Sequence, residues 1–324
     1  MVIRMMSYNL CDYGKQQARR PLIHDVIRAA APDVLAVQEI WADGTTRGLR
    51  ARQLVRELAD ATGLCCQMPD GQVTMAVGSH THHVAVLWRP GLDPVHWNSW
   101  NTPLWHAMGS VVLDIGDNTL VTHASFHATP FGRAQRTCEI EQVVATMTRP
   151  PGTPGGFIGA DWNCVLADMR LLRVDPMAPT PYPEDERTRY IRYDHDPFLH
   201  PPDGSFTPPQ WSAEFIHQCQ WESRDHYLPH ERQHRWWADR SAGEVLAAGL
   251  ADTAVLVDHP WTATTGHGPH DPYPPRRLDA IRVTRDLAPA VCGFEVIGSP
   301  TALDASDHLP VIATYLPSGS RTRR

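Results

Sequence analysis

Short apolar runs alternate with helical patterns through the first half of the chain. Residues 2–8 and 34–37 are mostly apolar and short, which predicts buried strands. Between them, Leu22, Val26 and Ala30 fall on one face of a helix that ends before Pro32. A chain that alternates in this way is expected to fold into sheets covered by helices.

The same patterns continue along the chain, and Gly116-Asp117-Asn118 adds a hairpin signal. The other predicted helices are marked by residues 54–59, 140–147 and 243–249, and the other predicted strands are 83–88, 110–115, 119–126, 156–160, 278–283, 291–297 and 310–315. Hairpins among alternating strands and helices indicate a mixed α/β body. Regularity fails between about residues 175 and 234, where Pro, His, Arg and Trp dominate, so we expect a long insertion or lid there.

Composition excludes several classes of protein. The chain has 324 residues, of which 42% are hydrophobic and 20% charged, as in an ordinary globular protein. A net charge of −7 disfavours a broad nucleic-acid surface, although a local basic groove is compatible with it. The 7 cysteines include no CxxC pair, which argues against a zinc site or disulfide framework. Without a signal-like or membrane-spanning run, the chain is predicted to be a cytoplasmic protein with reduced thiols.

Polar residues stand at the ends of the apolar strands. They are Asn9, Glu39, His127, Asp161 with Asn163, and Asp307 with His308. Loops gather at the edges of sheets, and α/β proteins place their sites there. Each residue alone also has an ordinary explanation, such as a turn, a helix cap or a buried histidine. Their order along the chain is what favours a shared site.

That order resembles the endonuclease/exonuclease/phosphatase superfamily. The motifs are SYNL (7–10), VQE (37–39), HATP (127–130), GADWN (159–163), RRLD (276–279) and SDHLP (306–310). The resemblance implies a DNase I-like, four-layered α/β/β/α sandwich, with two mixed sheets packed face to face and helices outside. It implies a single domain over residues 1–317, with an insertion at about 170–240 and a flexible tail at 318–324.

The resemblance also implies a divalent metal. A phosphodiester repels nucleophiles, and a hard cation such as Mg²⁺, or alternatively Mn²⁺, neutralises the charge that builds up on the phosphoryl oxygens. Glu39 is the expected principal ligand. Asn9 and Asp307 are expected to contribute directly or through water.

Catalytic roles follow from the same resemblance. Asp161 and His308 are expected to activate and align water, and Asp279 is expected to hydrogen-bond to His308. Asn163 and His127 are expected to donate to the non-bridging phosphoryl oxygens. His123 competes with His127, because residues four apart on a strand share a face, but the His-x-x-Pro pattern favours His127.

Four residues are candidates for binding substrate. Relatives often contact the phosphate from the segment that here carries His80, His82 and His83. Of these, His83 is the predicted phosphate-binding residue. The alternative is that the three histidines form a separate zinc site. Arg89 could approach substrate or form a surface salt bridge. The other two candidates for binding substrate are Trp162 and Trp211. Trp162 stands where Phe is usual in the family, and Trp211 lies in the insertion. Arginines and tryptophans of the insertion suit stacking on bases, binding of a small anionic aromatic metabolite, or packing as a lid. They are Arg187, Arg189, Arg192, Arg224, Arg232, Arg235, Trp211, Trp221, Trp236 and Trp237.

The leading hypothesis is a metal-dependent hydrolase that cleaves phosphoester bonds by in-line attack of water, most often a nuclease or other phosphodiesterase. The alternative is a phosphatase or phosphodiesterase acting on a small phosphorylated metabolite. A repurposed or non-catalytic binding protein on the same scaffold is a further possibility, although such a protein would be expected to lose Glu39, Asp161 or His308. No membrane association and no obligate protein partner are indicated.

Overall fold

The computed structural model describes residues 1–148, 154–173, 188–194, 217–223, 234–267 and 275–317. Its strands are β1 (Ile3–Asn9), β2 (Val34–Trp41), β3 (Met75–Ala76), β4 (His82–Trp88), β5 (Asp93–Trp100), β6 (Met108–Asp114), β7 (Leu120–His127), β8 (Gly156–Asp161), β9 (Met169–Arg173), β10 (Thr188–Arg192), β11 (Cys219–Ser223), β12 (His234–Ala238), β13 (Ala251–Asp252), β14 (Asp279–Val283), β15 (Val291–Val296) and β16 (Val311–Tyr315). Its α-helices are α1 (Arg20–Ala30), α2 (Arg47–Thr62), α3 (Arg133–Thr148), α4 (Ser241–Gly249), α5 (Thr253–Leu256) and α6 (Pro300–Ala305).

Two six-stranded sheets form the centre of the molecule. The first has the order β15-β16-β1-β2-β4-β3, and the second has the order β13-β14-β8-β7-β6-β5. In each sheet one pair is parallel, β1 with β2 and β7 with β8, and the other neighbours are antiparallel. Both sheets are therefore mixed, as the family resemblance implies.

Three buried clusters separate four layers. Met6 and Tyr8 of β1 pack with α1, α2 and α6 on the outer face of the first sheet. Met5 of the same strand points the other way, into a core shared with Phe157 of the second sheet. The outer face of the second sheet packs against α3 and α4. Side chains alternate between the faces of a strand, so one strand serves both cores and the fold is an α/β/β/α sandwich.

The ends of the helices follow their sequence signals. Ala31 ends α1 in the left-handed region (φ 44°), directly before Pro32. Gly63 ends α2 with φ 73°, a conformation in which glycine has no Cβ to clash. Ser299 begins α6, because its side chain accepts a hydrogen bond from Ala302 N.

Most predicted elements are confirmed, with ends that differ by a few residues. The sequence patterns missed β5, a strand at the end of the second sheet's order on which only Trp97 is buried. They also missed α6 and the short elements around β13 and α5. In and beside the predicted insertion at about 170–240, the described residues form two antiparallel pairs, β9 with β10 and β11 with β12. Predictions for the rest of the insertion, including Arg187, Trp211, Arg224 and Arg232, and for the tail at 318–324 lie outside the described residues.

The strand register brings the predicted polar residues to one end of the sandwich. Asn9 lies opposite Gln38 in the first sheet. In the second sheet, Asp161 lies between His127 on one neighbouring strand and Asp279 on the other. The polar residues brought to this end are Asn9, Gln38, His127, Asp161 and Asp279.

Among the helices in the described part of the chain, none combines the length and apolar character needed to cross a bilayer.

Candidate active site

Glu39 lies on an irregularity of β2. The pairing of β2 with β4 shifts register between Val37 and Ile40, and Glu39 has φ 60°. A residue other than glycine rarely adopts this conformation, and bulges often redirect a side chain beside a site. Asp12 N donates to Glu39 Oε2 at 3.1 Å, which links the loop after β1 to the irregularity.

Asn9 connects two carboxylates. Its Nδ2 donates to Glu39 Oε1 at 3.1 Å and to Asp161 Oδ2 at 3.0 Å. Its Oδ1 accepts from Cys11 N at 3.0 Å. The amide nitrogen thus faces the cluster and the oxygen turns away. In this geometry Asn9 holds the carboxylates of Glu39 and Asp161, and its contribution to metal binding, directly or through water, stays a prediction.

Within the described part of the chain, three groups of side chains have the spacing of metal ligands. They are Asp12, Glu39 and His82; Glu39, His127 and Asp161; and Asp161, Asp279 and His308, in each of which the ligand atoms lie within 4.8 Å of one another. Carboxylate oxygens predominate around Glu39, and such oxygens fit a hard divalent cation. Among the described residues, Asp307 belongs to none of these groups; its Oδ1 lies 3.4 Å from Ser306 Oγ.

His308 is held between two carboxylates. Its Nδ1 lies 2.8 Å from Asp279 Oδ2, and its Nε2 lies 3.8 Å from Asp161 Oδ2. Burial alone would lower the pKa of His308, but the charges of Asp279 and Asp161 outweigh it and raise this pKa well above its ordinary value. Ser306 fixes the loop, because its Oγ donates to Asn9 O at 2.8 Å.

Asp161 is ionised although it is buried. Burial would raise its pKa, but the charge of His308 and a hydrogen bond from His127 outweigh it, so the pKa of Asp161 lies below its ordinary value. Asn163 turns back toward this carboxylate with φ 48°, and its N donates to Asp161 Oδ1 at 2.9 Å. Asn163 Nδ2 donates to Ala128 O at 3.0 Å.

The structure places His127, and not His123, in the cluster. His127 Nε2 lies 3.4 Å from Asp161 Oδ2 and 3.9 Å from Glu39 Oε1. His123 lies deeper on the same face of β7, where its Nε2 is 2.7 Å from the hydroxyl of Tyr315. Burial lowers the pKa of His123 to about 3.

His106, Asp12 and His82 belong to the cluster, and sequence reasoning assigned none of them a definite role. His106 Nδ1 lies 2.8 Å from His127 Nδ1. His82 Nε2 lies 2.9 Å from Asp12 Oδ1 and stacks on His106 with the rings at 9°. The alternation of β4 offered a signal for His82, since Val84, Val86 and Trp88 all face the core between the sheets. No motif marks His106.

Three predicted substrate-binding residues are corrected. His83 faces the opposite side of β4 from His82 and is fully buried, where its Nδ1 accepts from Gly78 N at 3.0 Å. Arg89 follows the far end of β4 and forms an ion pair with Asp33. Trp162 is fully buried, packs near Phe126 and donates from Nε1 to Ala280 O at 3.1 Å. These side chains are structural, because alternation or strand direction takes each away from the cluster. Trp211 lies outside the described residues.

The RRLD segment is anchored by a buried ion network. Arg277 donates to both carboxylate oxygens of Asp194, at 2.8 and 2.9 Å, and to Asp252 Oδ2 at 2.7 Å. Arg282, later on β14, pairs with Asp168. Asp279 stands between these two arginines in sequence, so the network fixes the strand that presents Asp279 to His308.

This arrangement has the parts needed for hydrolysis of an anionic ester. Carboxylates converge where a cation would bind, and Asp161 and His308 are close enough to contact one water molecule. His127 points an imidazole nitrogen toward the same space. Such groups, fixed before the reaction, stabilise charge that develops in a transition state.

Comparisons with known proteins agree with this architecture. The profile described as the Endonuclease/Exonuclease/phosphatase family matches residues 6–308. A search of curated protein sequences found no match.

Several solved structures are similar to this chain. D. rerio TDP2 complexed with single strand DNA product has a TM-score of 0.57 at 12% identity, covering 97% of this chain and 99% of that chain. An endonuclease/exonuclease/phosphatase family protein from Bacteroides thetaiotaomicron has a TM-score of 0.54 at 13% identity, covering 97% of each chain. The endonuclease/exonuclease/phosphatase from Beutenbergia cavernae has a TM-score of 0.55 at 18% identity, covering 99% of this chain and 73% of that chain. At these identities the likeness is one of fold.

Proposed function

The chain belongs to the Endonuclease/Exonuclease/phosphatase family, and on that basis we propose that it is a divalent-metal-dependent phosphodiesterase with nuclease activity. The fold and the hydrolase family are those of phosphoesterases. The preference for a diester, the Mg²⁺ or Mn²⁺ dependence, the nucleic-acid substrate and a cytoplasmic location are proposals.

The observation that supports hydrolysis best is the line formed by Asp279, His308 and Asp161. Asp279 and His308 are joined at 2.8 Å, and His308 Nε2 is 3.8 Å from Asp161 Oδ2. Because Asp161 is held ionised, it is the proposed acceptor of the proton from the attacking water. Because the pKa of His308 is raised, its charged ring is proposed to neutralise the phosphoryl oxygens.

Glu39 is the proposed principal metal ligand, with Asp12 and Asp161 beside it. A divalent cation bound there would supply charge neutralisation and Lewis-acid polarisation of the phosphoryl group. Asn9 holds the carboxylates of Glu39 and Asp161 toward each other through its Nδ2. Asp307, which lies outside the groups with ligand spacing, is proposed to assist through water.

His127 and Asn163 are the proposed donors to the non-bridging oxygens. His127 Nε2 already faces the carboxylates of Asp161 and Glu39. Asn163 Nδ2 lies 3.4 Å from Asp161 Oδ2, beyond its shorter bond to Ala128 O. One of its two amide hydrogens is therefore weakly engaged and available to a substrate oxygen.

Single-stranded DNA is the proposed substrate to test first. The structure of D. rerio TDP2, which is similar in fold, was solved as a complex with a single strand DNA product. The leading hypothesis from the sequence is also a nuclease. The experiment compares single-stranded DNA, duplex DNA, RNA and a panel of phosphorylated metabolites, each with Mg²⁺ or Mn²⁺ and again with EDTA. The His308→Asn variant controls for contaminating hydrolases.

Metal-dependent cleavage of a nucleic acid that His308→Asn abolishes would support the proposal. Turnover restricted to metabolite esters would replace the nuclease with the small-molecule alternative. Hydrolysis that is unaffected by EDTA and by His308→Asn would show that this site does not catalyse the reaction.

A further inference from the structure

His106 and His127 form a nitrogen–nitrogen hydrogen bond inside the protein. Their Nδ1 atoms are 2.8 Å apart, and the rings meet edge to face at 77° with centroids 4.0 Å apart. Both side chains are buried, with 4% and 2% of their surface exposed. A hydrogen must lie between the two nitrogens, because two bare nitrogens at this distance would repel each other.

The other nitrogen of His127 decides where its own proton lies. Nε2 faces Asp161 Oδ2 at 3.4 Å and Glu39 Oε1 at 3.9 Å. Ionised carboxylates only accept hydrogen bonds, so this nitrogen is favoured as N–H. With its hydrogen on Nε2, His127 accepts at Nδ1 the hydrogen that lies between the two rings, and His106 Nδ1 donates it. The Nε2–H of His127 then points into the cluster.

We propose that His106 is a positioning residue that holds His127 with its Nε2–H directed at Asp161, Glu39 and the phosphoryl oxygen of a bound substrate. The orientation of His127 is a property of the folded chain, whereas its catalytic consequence rests on the proposed function. No motif of the family resemblance includes His106.

His106 is itself rigidly held. Trp105 N, next to it, donates to Glu139 Oε1 at 2.7 Å, and Ser79 N donates to Trp105 O at 3.1 Å. The ring of His82 stacks on that of His106 at 9°. Burial and the nearby charge of His127 lower the pKa of His106 well below its ordinary value, so it stays neutral. A neutral imidazole has one donor and one acceptor, so His106 can donate from Nδ1 to His127.

Two amide substitutions separate a hydrogen-bonding role from a packing role. Asparagine places its amide nitrogen as many bonds from Cβ as Nδ1 of histidine, whereas glutamine places it one bond farther. His106→Asn is therefore expected to retain the bond to His127 and His106→Gln to lose it. Removing such a supporting partner typically costs about 10- to 100-fold in activity. We expect that loss in kcat for His106→Gln and less than about a threefold loss for His106→Asn.

The direct readout is the protonation state of His127, measured by long-range ¹⁵N–¹H correlation spectra of protein labelled in histidine. The His127→Gln spectrum identifies the His127 signals. The proposal predicts a protonated Nε2 in the wild type and in His106→Asn, and a changed His127 signal in His106→Gln. A bare Nε2 in the wild type would overturn it.

Equal effects of the two substitutions, on the spectrum or on kcat, would also overturn the proposal. Because the spectrum requires no turnover, it tests the orientation of His127 even if no phosphoester is hydrolysed. A failure of the proposed function is thereby distinguished from a failure of this inference.

Discussion

Asp279 Oδ2 lies 2.8 Å from His308 Nδ1, across the gap between the start of β14 and the loop before β16. Asp279 begins β14 of the second sheet, and His308 lies in the loop that leads into β16 of the first sheet. The bond therefore ties the two halves of the sandwich together at the site. It also fixes the tautomer and the orientation of the His308 ring.

Replacing Asp279 tests the role of His308. Asp279→Asn removes the carboxylate that raises the pKa of His308, so this pKa should fall. If the charged ring is needed, the basic limb of the kcat–pH profile should move to lower pH and kcat should fall by about 10²–10⁴. A profile whose acidic limb alone moves would instead identify His308 as the base.

Metal binding should depend on Glu39. Glu39→Gln removes one anionic oxygen from two of the groups with ligand spacing. The affinity for Mn²⁺ measured by calorimetry should therefore fall by more than about tenfold. Glu295→Gln is the matched control, because Glu295 is exposed on β15 and pairs with Arg4. Equal Mn²⁺ affinities of Glu39→Gln and Glu295→Gln would show that the metal does not bind at Glu39.

His127 and His123 offer a matched pair on one strand. His127→Gln should reduce kcat by about 10²–10³, the usual effect of losing one donor to a transition-state oxygen. His123→Gln should keep wild-type kcat, because His123 contacts Tyr315 in the core and not the cluster. If His123→Gln lost activity while its circular dichroism spectrum showed a folded protein, the assignment of His127 over His123 to the active site would be wrong.

His123 should also make stability depend on pH. Its pKa is about 3 in the folded chain and near 6.5 when exposed, so the unfolded chain binds more protons between these values. Stability should fall as pH decreases through this window, by about 1.4 kcal/mol per pH unit from this residue. Urea unfolding at about pH 5.5 and 4.5, where the unfolded histidine is almost fully protonated, should show a decrease that is smaller for His123→Gln by roughly that amount. An unchanged decrease would show that His123 is protonated in the folded chain.

The buried ion network should be sensitive to loss of its cation. Arg277→Met leaves Asp194 and Asp252 buried with much of their charge uncompensated, so the free energy of unfolding should fall by about 3–5 kcal/mol. Arg285→Met is the control, because Arg285 is exposed after β14. Chemical denaturation measures both. Similar stability of the two variants would contradict the structural role of the network.

Much of the fold could be predicted because it follows from local pattern. The runs at Ile3–Asn9, Val34–Trp41 and Gly156–Asp161 show their apolar character directly in the sequence. β5 was missed because it is mostly exposed and only Trp97 is buried, so its pattern resembles a loop. α6 was missed because it is short and its helical character depends on the cap at Ser299 and on packing against α1.

The sequence by itself determined part of the site's chemistry, because Asn9, Glu39, His127, Asp161, Asp279 and His308 stand at strand ends within recognisable motifs, whereas Asp12, His82 and His106 do not. Only the tertiary structure decided how they meet. Strand alternation directed His82 inward and His83 outward, and strand direction carried Arg89 to the far end of β4. The bond between His106 and His127 joins residues 21 positions apart, and no local pattern encodes it. Such contacts depend on register and on the facing of two sheets, which are set by the packing of the whole sandwich.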